Sequence, residues 1–210
     1  MSRYILSLLL LLGAATVSAQ MTPRSVVMTA PEKVQLTIDS STMLDMLDYF
    51  DSGVARTMKN KTGEDAVITS MSPWDITIQT GEARSLTMAI LPYGKSEIIM
   101  VIDRVDTPAP DAVISFYDSR WNAFDTRKML AMPALADWIG KVTPERRAEI
   151  ENALPFLMVN AAYDPSTKVL TFTPQLGDYI ATEDADMLKA AIKPQLDYVW
   201  NGKSFKPVKK

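Results

Sequence analysis

Four short stretches in the middle of the chain carry apolar residues at every second position or in an unbroken run. Their apolar residues are Trp74, Ile76 and Ile78; Leu86, Met88 and Ile90; Ile98 to Ile102; and Ala112, Ile114 and Phe116. A period of two indicates β-strands with one buried face, and the unbroken run indicates a central strand covered on both faces. Because the connections between these stretches are short, the pattern favours an antiparallel meander.

A helix is predicted before these strands. Asp39 and the three hydroxyl residues that follow it are good N-caps, and apolar residues from Met43 to Val54 recur at helical spacing. Residues 20–33 contain Pro23 and Pro31 and are predicted to form an extended lead-in.

The last third of the chain predicts a mixture of helices and hairpins. The expected order is a short-helical bridge over 125–143 with Trp138 buried, a helix from Thr143-Pro144, a hairpin over 156–173, a helix from Thr182 and a hairpin over 195–208. Proline is favoured at the first helical position, which supports the start at Pro144. Asn201-Gly202 is the pair that type I′ turns select.

These elements together predict an α+β fold, a mainly antiparallel sheet in a meander and hairpins with helices packed on one face. We divide the chain into a signal peptide over 1–19, the lead-in over 20–33, a helix plus meander over 34–124, and a helix-hairpin-helix-hairpin half over 125–210. The two halves are expected to share one core. No internal sequence repeat is evident.

The N-terminus has the three parts of a cleavable signal peptide. Arg3 precedes an apolar run from Tyr4 to Leu12, and small residues at Val17 and Ala19 fit the cleavage site. We expect cleavage after Ala19 and export to the periplasm, the cell surface or the medium. An uncleaved membrane anchor is the alternative, although the run is shorter than the ~20 apolar residues that a spanning helix needs.

Two residue types are absent from the chain, and their absence excludes several kinds of catalysis and metal binding. The chain has no histidine and no cysteine, which removes Ser-His-Asp and Cys-His catalysis and the usual zinc, copper and haem ligands. Its formal net charge of −3 does not suggest a nucleic-acid partner. We expect no metal, no cofactor and no catalytic residue set.

The candidate ligand-binding residues are Tyr117, Asp118, Arg120 and Trp121. On a continuing strand, Tyr117 and Trp121 would share one face with Ser119, and Asp118 would share the other with Arg120. Aromatic rings beside charged groups are typical of carbohydrate or peptide recognition. The alternative is that the two rings simply cover the sheet.

Several short stretches of the chain form a recognisable set: Ala19-Gln20, the helix start Met43 to Phe50, Ala109-Pro110-Asp111, Phe116-Tyr117-Asp118 with Trp121, and Tyr198 to Phe205. Together they resemble exported proteins of unknown function from Bacteroidales bacteria. The resemblance implies a bacterium with two membranes and a periplasmic or surface location. It assigns no activity to any residue.

The sequence therefore favours a non-enzymatic binding module for a protein or a cell-envelope glycan. A carboxylate-based glycan hydrolase is the first alternative, because such enzymes need no histidine. An inhibitor or assembly factor for another exported protein is the second. No pattern in the chain indicates an oligomeric state.

Overall fold

A computed structural model describes residues 20–35, 37–54, 56–177 and 179–208. The predicted signal peptide, residues 1–19, lies outside the described residues. Within the part of the chain that is described, none of the helices has the length and apolar character needed to cross a membrane.

Three helices open the described chain: α1 Pro23–Thr29, α2 Glu32–Gln35 and α3 Ser40–Asp51. The prediction of an extended lead-in over 20–33 is wrong, because both prolines stand at helix starts. Ser25 N–H donates to the Thr22 hydroxyl oxygen at 3.1 Å, and Thr22 N–H donates to the Ser25 hydroxyl oxygen at 3.0 Å. This reciprocal cap satisfies two amides at the start of α1 and places Pro23 at its first position.

The predicted helix after Asp39 is confirmed as α3. The Asp39 carboxylate accepts a hydrogen bond from Thr42 N–H at 2.8 Å, and another from the Ser41 hydroxyl at 2.7 Å. These bonds stabilise the charged carboxylate and lower the pKa of Asp39 to about 2. The cap is therefore charged at neutral pH and marks the start of the helix.

The predicted meander is confirmed as a six-stranded antiparallel sheet. Its strands are β1 Met58–Lys59, β2 Asp65–Met71, β3 Asp75–Gly81, β4 Arg84–Tyr93, β5 Ser96–Val105 and β6 Asp111–Tyr117, and they lie in the order β1-β2-β3-β4-β5-β6. Every neighbouring pair is antiparallel. Sequence neighbours are thus spatial neighbours throughout this sheet, as its short connections predict.

The rest of the described chain forms four helices and a second antiparallel sheet. The elements are α4 Thr126–Met129, α5 Leu135–Trp138, α6 Pro144–Ala153, β7 Met158–Asp164, β8 Val169–Gln175, α7 Thr182–Ala191, β9 Leu196–Trp200 and β10 Phe205–Pro207. The strands lie in the order β10-β9-β8-β7. The predicted bridge, helices and hairpins are confirmed, including the buried Trp138.

The β9–β10 turn is not the predicted type I′ turn. Trp200 pairs with Phe205, so the loop contains four residues. Gly202 has a φ of 90°, but Asn201 is not in the left-handed region that a type I′ turn requires at both central positions. The Asn201 side chain instead accepts hydrogen bonds from Lys203 N–H and Ser204 N–H, each at 3.0 Å, and closes a longer loop.

The larger sheet is covered on both faces. One face packs against α1–α3 in a cluster that includes Val27, Met43, Leu47, Ile76, Ile78 and Met88. The other face packs against the second sheet and α4–α7 in a cluster that includes Met100, Phe116, Trp138, Ile150, Phe172 and Trp200. The α+β class with antiparallel sheets is confirmed. The expectation that the helices pack on one face is not, because α1–α3 and α4–α7 lie on opposite faces of the larger sheet.

Truncation of Phe116 tests whether the two sheets share one core. Its side chain is fully buried between them, and its ring centroid lies 6.4 Å from that of Trp200. Phe116→Ala should therefore lower the free energy of unfolding by about 3–5 kcal/mol, measured by urea denaturation. Val113→Ala on the same strand, where the side chain is 68% exposed, should cost about 0.5 kcal/mol or less. Similar small effects for both variants would contradict a core shared by the sheets.

Candidate functional site

A cleft of about 680 Å³ opens between the two sheets. It is lined by Ser72, Pro73, Trp74, Ile90, Pro92, Glu97, Tyr163, Pro165, Ser166 and Lys168. One wall is the β2–β3 turn and the opposite wall is the β7–β8 turn, with parts of β4 and β5 between them. Its volume lies in the range of small-molecule binding sites. We call it the Trp74 cleft.

Trp74 is held by a tightly bonded turn. The Ser72 hydroxyl oxygen accepts hydrogen bonds from Trp74 N–H at 3.1 Å and from Asp75 N–H at 3.2 Å. The Trp74 carbonyl accepts a hydrogen bond from Ile90 N–H at 2.7 Å, which fixes the turn to β4. The backbone is thereby constrained while the side chain remains 43% exposed. The turn presents a large aromatic surface to solvent at low conformational cost.

The opposite wall is shaped by Asp164. Its carboxylate accepts hydrogen bonds from the Ser166 hydroxyl at 2.6 Å, the Thr167 hydroxyl at 2.7 Å and Ser166 N–H at 2.8 Å. These bonds lower the pKa of Asp164 to about 2. The turn ends at Lys168, whose φ is 59° and whose carbonyl accepts a hydrogen bond from Trp200 N–H at 2.9 Å.

Tyr163 forms an inner part of the cleft. Burial raises the pKa of Tyr163 to about 12, and the carboxylates of Asp164 and Asp75 act in the same direction. Its ring packs edge-on against Phe205 at 6.0 Å. The phenol is therefore neutral at physiological pH and can donate or accept a hydrogen bond.

Glu97 lines a second cavity as well as the Trp74 cleft. This neighbouring cavity measures about 420 Å³ and is lined by Gln20, Met21, Pro92, Gly94, Lys95, Ser96, Glu97 and Ser119. Pro92 and Glu97 line both spaces. The Glu97 carboxylate accepts a hydrogen bond from Met21 N–H at 2.9 Å. The two cavities are thus neighbours that share Pro92 and Glu97 in their linings.

Carboxylates lie in and beside the Trp74 cleft. Glu97 lines it, and the carboxylates of Asp164 and Asp75 contribute to the raised pKa of Tyr163. Within the described ranges, the side chains of Asp and Glu form no group of three or more that could hold a metal ion. An exposed indole with polar groups around it can stack on a flat ligand and orient it.

The sequence-predicted binding residues do not form an exposed strand surface. β6 ends at Tyr117, and Asp118 closes a turn by accepting hydrogen bonds from Arg120 N–H at 2.8 Å and Asn122 N–H at 2.9 Å. The hydrogen bonds from Asn122 and Arg120 also lower the pKa of Asp118. The predicted alternation of side chains over 117–121 is therefore wrong.

Trp121 is a core residue in this turn. It has a φ of 62°, is only 8% exposed, and its ring centroid lies 5.3 Å from that of Tyr117. Its indole N–H donates to the Thr29 hydroxyl of α1 at 3.2 Å. Arg120 remains exposed. A ligand-binding role for Tyr117, Asp118, Arg120 and Trp121 stays a prediction, but the two rings here serve packing.

Sequence reasoning missed Trp74 because it assigned this residue to the buried face of a strand. β3 begins one residue later, at Asp75, and only Ile76 and Ile78 follow the predicted buried face. The dipeptide Ser72-Pro73 could have predicted a turn at this position, since a hydroxyl residue before proline is a common turn start.

The pKa of Tyr163 can be tested by alkaline titration. A phenol with a raised pKa stabilises the fold fully below the unfolded-state pKa of about 10, and this contribution is lost as the pH rises toward 12. The stability difference between the wild type and Tyr163→Phe should therefore shrink between about pH 10 and pH 12. Phenolate absorbance in the native state should show that Tyr163 remains neutral near pH 10. Ionisation of Tyr163 at the same pH as a free tyrosine would contradict its buried position.

Comparison with known proteins adds a fold neighbour and a family. The chain is similar to a solved domain of an uncharacterized protein from Porphyromonas gingivalis W83, with 19% identity and a TM-score of 0.77 over 89% of this chain and 98% of that chain. This likeness shows the fold, and its source belongs to the Bacteroidales, as the sequence resemblance implied. No curated protein matches the chain. A family model matches residues 14–205, so the chain belongs to the family described as "Protein of unknown function (DUF3256)".

Proposed function

We propose that this protein is an exported, non-enzymatic binding module that holds a cell-envelope glycan in the Trp74 cleft. The observation that carries the proposal is the exposed indole of Trp74, fixed on a rigid turn at the mouth of a preformed cleft. Flat aromatic rings pack against the apolar faces of sugars, and surrounding polar groups select the orientation.

The polar groups of the cleft suit the hydroxyl groups of a sugar. Ser72, Ser166 and Tyr163 carry hydroxyls, and Glu97 and Lys168 add an acceptor and a donor. The residues come from separate turns and strands on both walls, so they approach a bound ring from different directions. This arrangement supports recognition of a polar ligand with one apolar face.

Export is part of the proposal and rests on the sequence of residues 1–19. The apolar run from Tyr4 to Leu12 and the small residues Val17 and Ala19 support cleavage by signal peptidase. Intact mass measurement of the protein purified from its native envelope fraction tests this step. A mass that begins at Gln20 would support it, and an uncleaved chain would contradict it.

Substitution of Trp74 tests the site. Trp74→Ala should weaken binding to immobilised envelope oligosaccharides by about tenfold or more, because the main apolar contact with the sugar is lost. Binding is measured on a glycan array and then by calorimetry with the best ligand. Because the ring is partly exposed, the melting temperature should change little.

Phe156→Ala provides the matched control. Phe156 is also an exposed aromatic residue, 55% accessible and stacked on Tyr179, but it lies outside the cleft. This variant should retain wild-type binding. Equal glycan binding by Trp74→Ala and the wild type would rule out the Trp74 cleft as the binding site. A stoichiometric protein complex that survives without any glycan binding would favour the protein-binding alternative.

A further inference from the structure

We propose that cleavage of the signal peptide creates an ion pair between the new α-ammonium group of Gln20 and the carboxylate of Glu97. The inference rests on the export step of the proposed function, since Gln20 is the first residue after the expected cut. The contact that carries it is the hydrogen bond from Met21 N–H to Glu97 Oε2 at 2.9 Å. Gln20 and Glu97 also line the same cavity of about 420 Å³.

Met21 fixes the backbone beside Glu97. Its side chain is half-buried and packs against the cluster between α1–α3 and the larger sheet. The reciprocal cap formed by Thr22 and Ser25 fixes the chain again at the next residue. Three covalent bonds separate the backbone nitrogens of Gln20 and Met21, so these atoms lie at most about 3.7 Å apart. The two nitrogens can therefore meet the two oxygens of one carboxylate.

The carboxylate of Glu97 has room for this second partner. Glu97 is half-buried, and within the described ranges Met21 N–H is its one hydrogen-bond donor and no lysine or arginine pairs with it. A half-buried carboxylate with a single neutral donor gains from a charged one. Lys95 lines the same cavity, but its side chain is exposed and forms no ion pair with Glu97.

Cleavage supplies a charged donor because it changes the chemistry of the Gln20 nitrogen. In the uncleaved chain this nitrogen is a neutral amide with one N–H. Hydrolysis of the Ala19–Gln20 bond leaves a carboxylate on Ala19 and an amine on Gln20, and α-amino groups with a pKa of about 7.7–8.0 are mainly protonated at pH 7. Since Glu97 also lines the Trp74 cleft, the same event neutralises a charge in the wall of the proposed glycan site.

The test removes the ammonium charge from Gln20 in the mature protein. Glutaminyl cyclase makes the α-amine attack the side-chain carboxamide of the same residue, so that ammonia leaves and a neutral lactam forms, which mass spectrometry confirms. This conversion should lower the melting temperature by about 1–3 °C, because a partly exposed ion pair is lost. In Glu97→Gln it should change the melting temperature little, so the double cycle assigns the difference to this pair. Added salt should reduce the effect.

Two further chains serve as controls that leave Glu97 in place. A chain that retains Ala19 as its first residue moves the ammonium group by one residue and should melt like the lactam form. Gln20→Ala keeps the ammonium group but has no carboxamide to cyclise. It should melt like the untreated wild type and show no response to the cyclase.

An unchanged melting temperature after cyclisation of the wild type would overturn the inference, as would an equal loss in Glu97→Gln. A loss of stability in Lys95→Ala as large as that in Glu97→Gln would also overturn it, because Lys95 would then be the partner of the carboxylate. These measurements use no glycan, so failure of the Trp74 cleft to bind one leaves them unaffected. A native chain whose mass begins before Gln20 would refute the proposed cleavage and, with it, the ion pair.

Discussion

The aromatic contact between the two sheets positions the other features of the structure. Phe116 on the larger sheet packs against Trp200 and Phe205 on the smaller one, with ring centroids 6.4 and 6.2 Å away. The indole N–H of Trp200 donates to the Pro92 carbonyl at 2.7 Å, so the buried donor is satisfied by the opposite sheet. Because the chain has no cysteine, this spacing is set by packing and hydrogen bonds without a disulfide.

The same contact determines the shape of the Trp74 cleft. The main-chain N–H of Trp200 holds the carbonyl of Lys168, and Phe205 supports the ring of Tyr163. Trp200 therefore fixes one wall of the cleft, and its side chain ties that wall to β4. The opposite wall, the β2–β3 turn, is held to β4 by the hydrogen bond from Ile90 N–H to the Trp74 carbonyl. A site defined in this way is preorganised, and a ligand need not order flexible loops when it binds.

The parts of the fold that local chemistry determines could be predicted from the sequence. Asp39 and Thr143 cap helices as expected, and the alternation through Ile76 and Ile78 identifies a strand with one buried face. Local ambiguity explains the errors. Pro23 is compatible with an extended segment or with the first turn of a helix, and the capping contact between Thr22 and Ser25 decides in favour of the helix.

The site could not be predicted in the same way, because contacts between residues far apart in sequence decide which side chains line it. Trp121 enters the core through a hydrogen bond to Thr29, on a helix that the sequence did not predict. Trp74 remains exposed because β3 starts after it, and the facing residues Tyr163 and Lys168 belong to the other sheet. No local sequence pattern indicates that the β2–β3 turn and the β7–β8 turn form opposite walls of one cleft.

The most direct test of the central claim is an NMR titration that follows the indole N–H resonances. The chain has four tryptophans, and Trp121, Trp138 and Trp200 are buried whereas Trp74 is exposed in the cleft. Addition of an envelope oligosaccharide should shift the Trp74 indole resonance in a saturable manner and leave the other three nearly unchanged. An unshifted Trp74 resonance together with perturbed amides around Asp118 and Arg120 would contradict the account and place binding at the β6 turn.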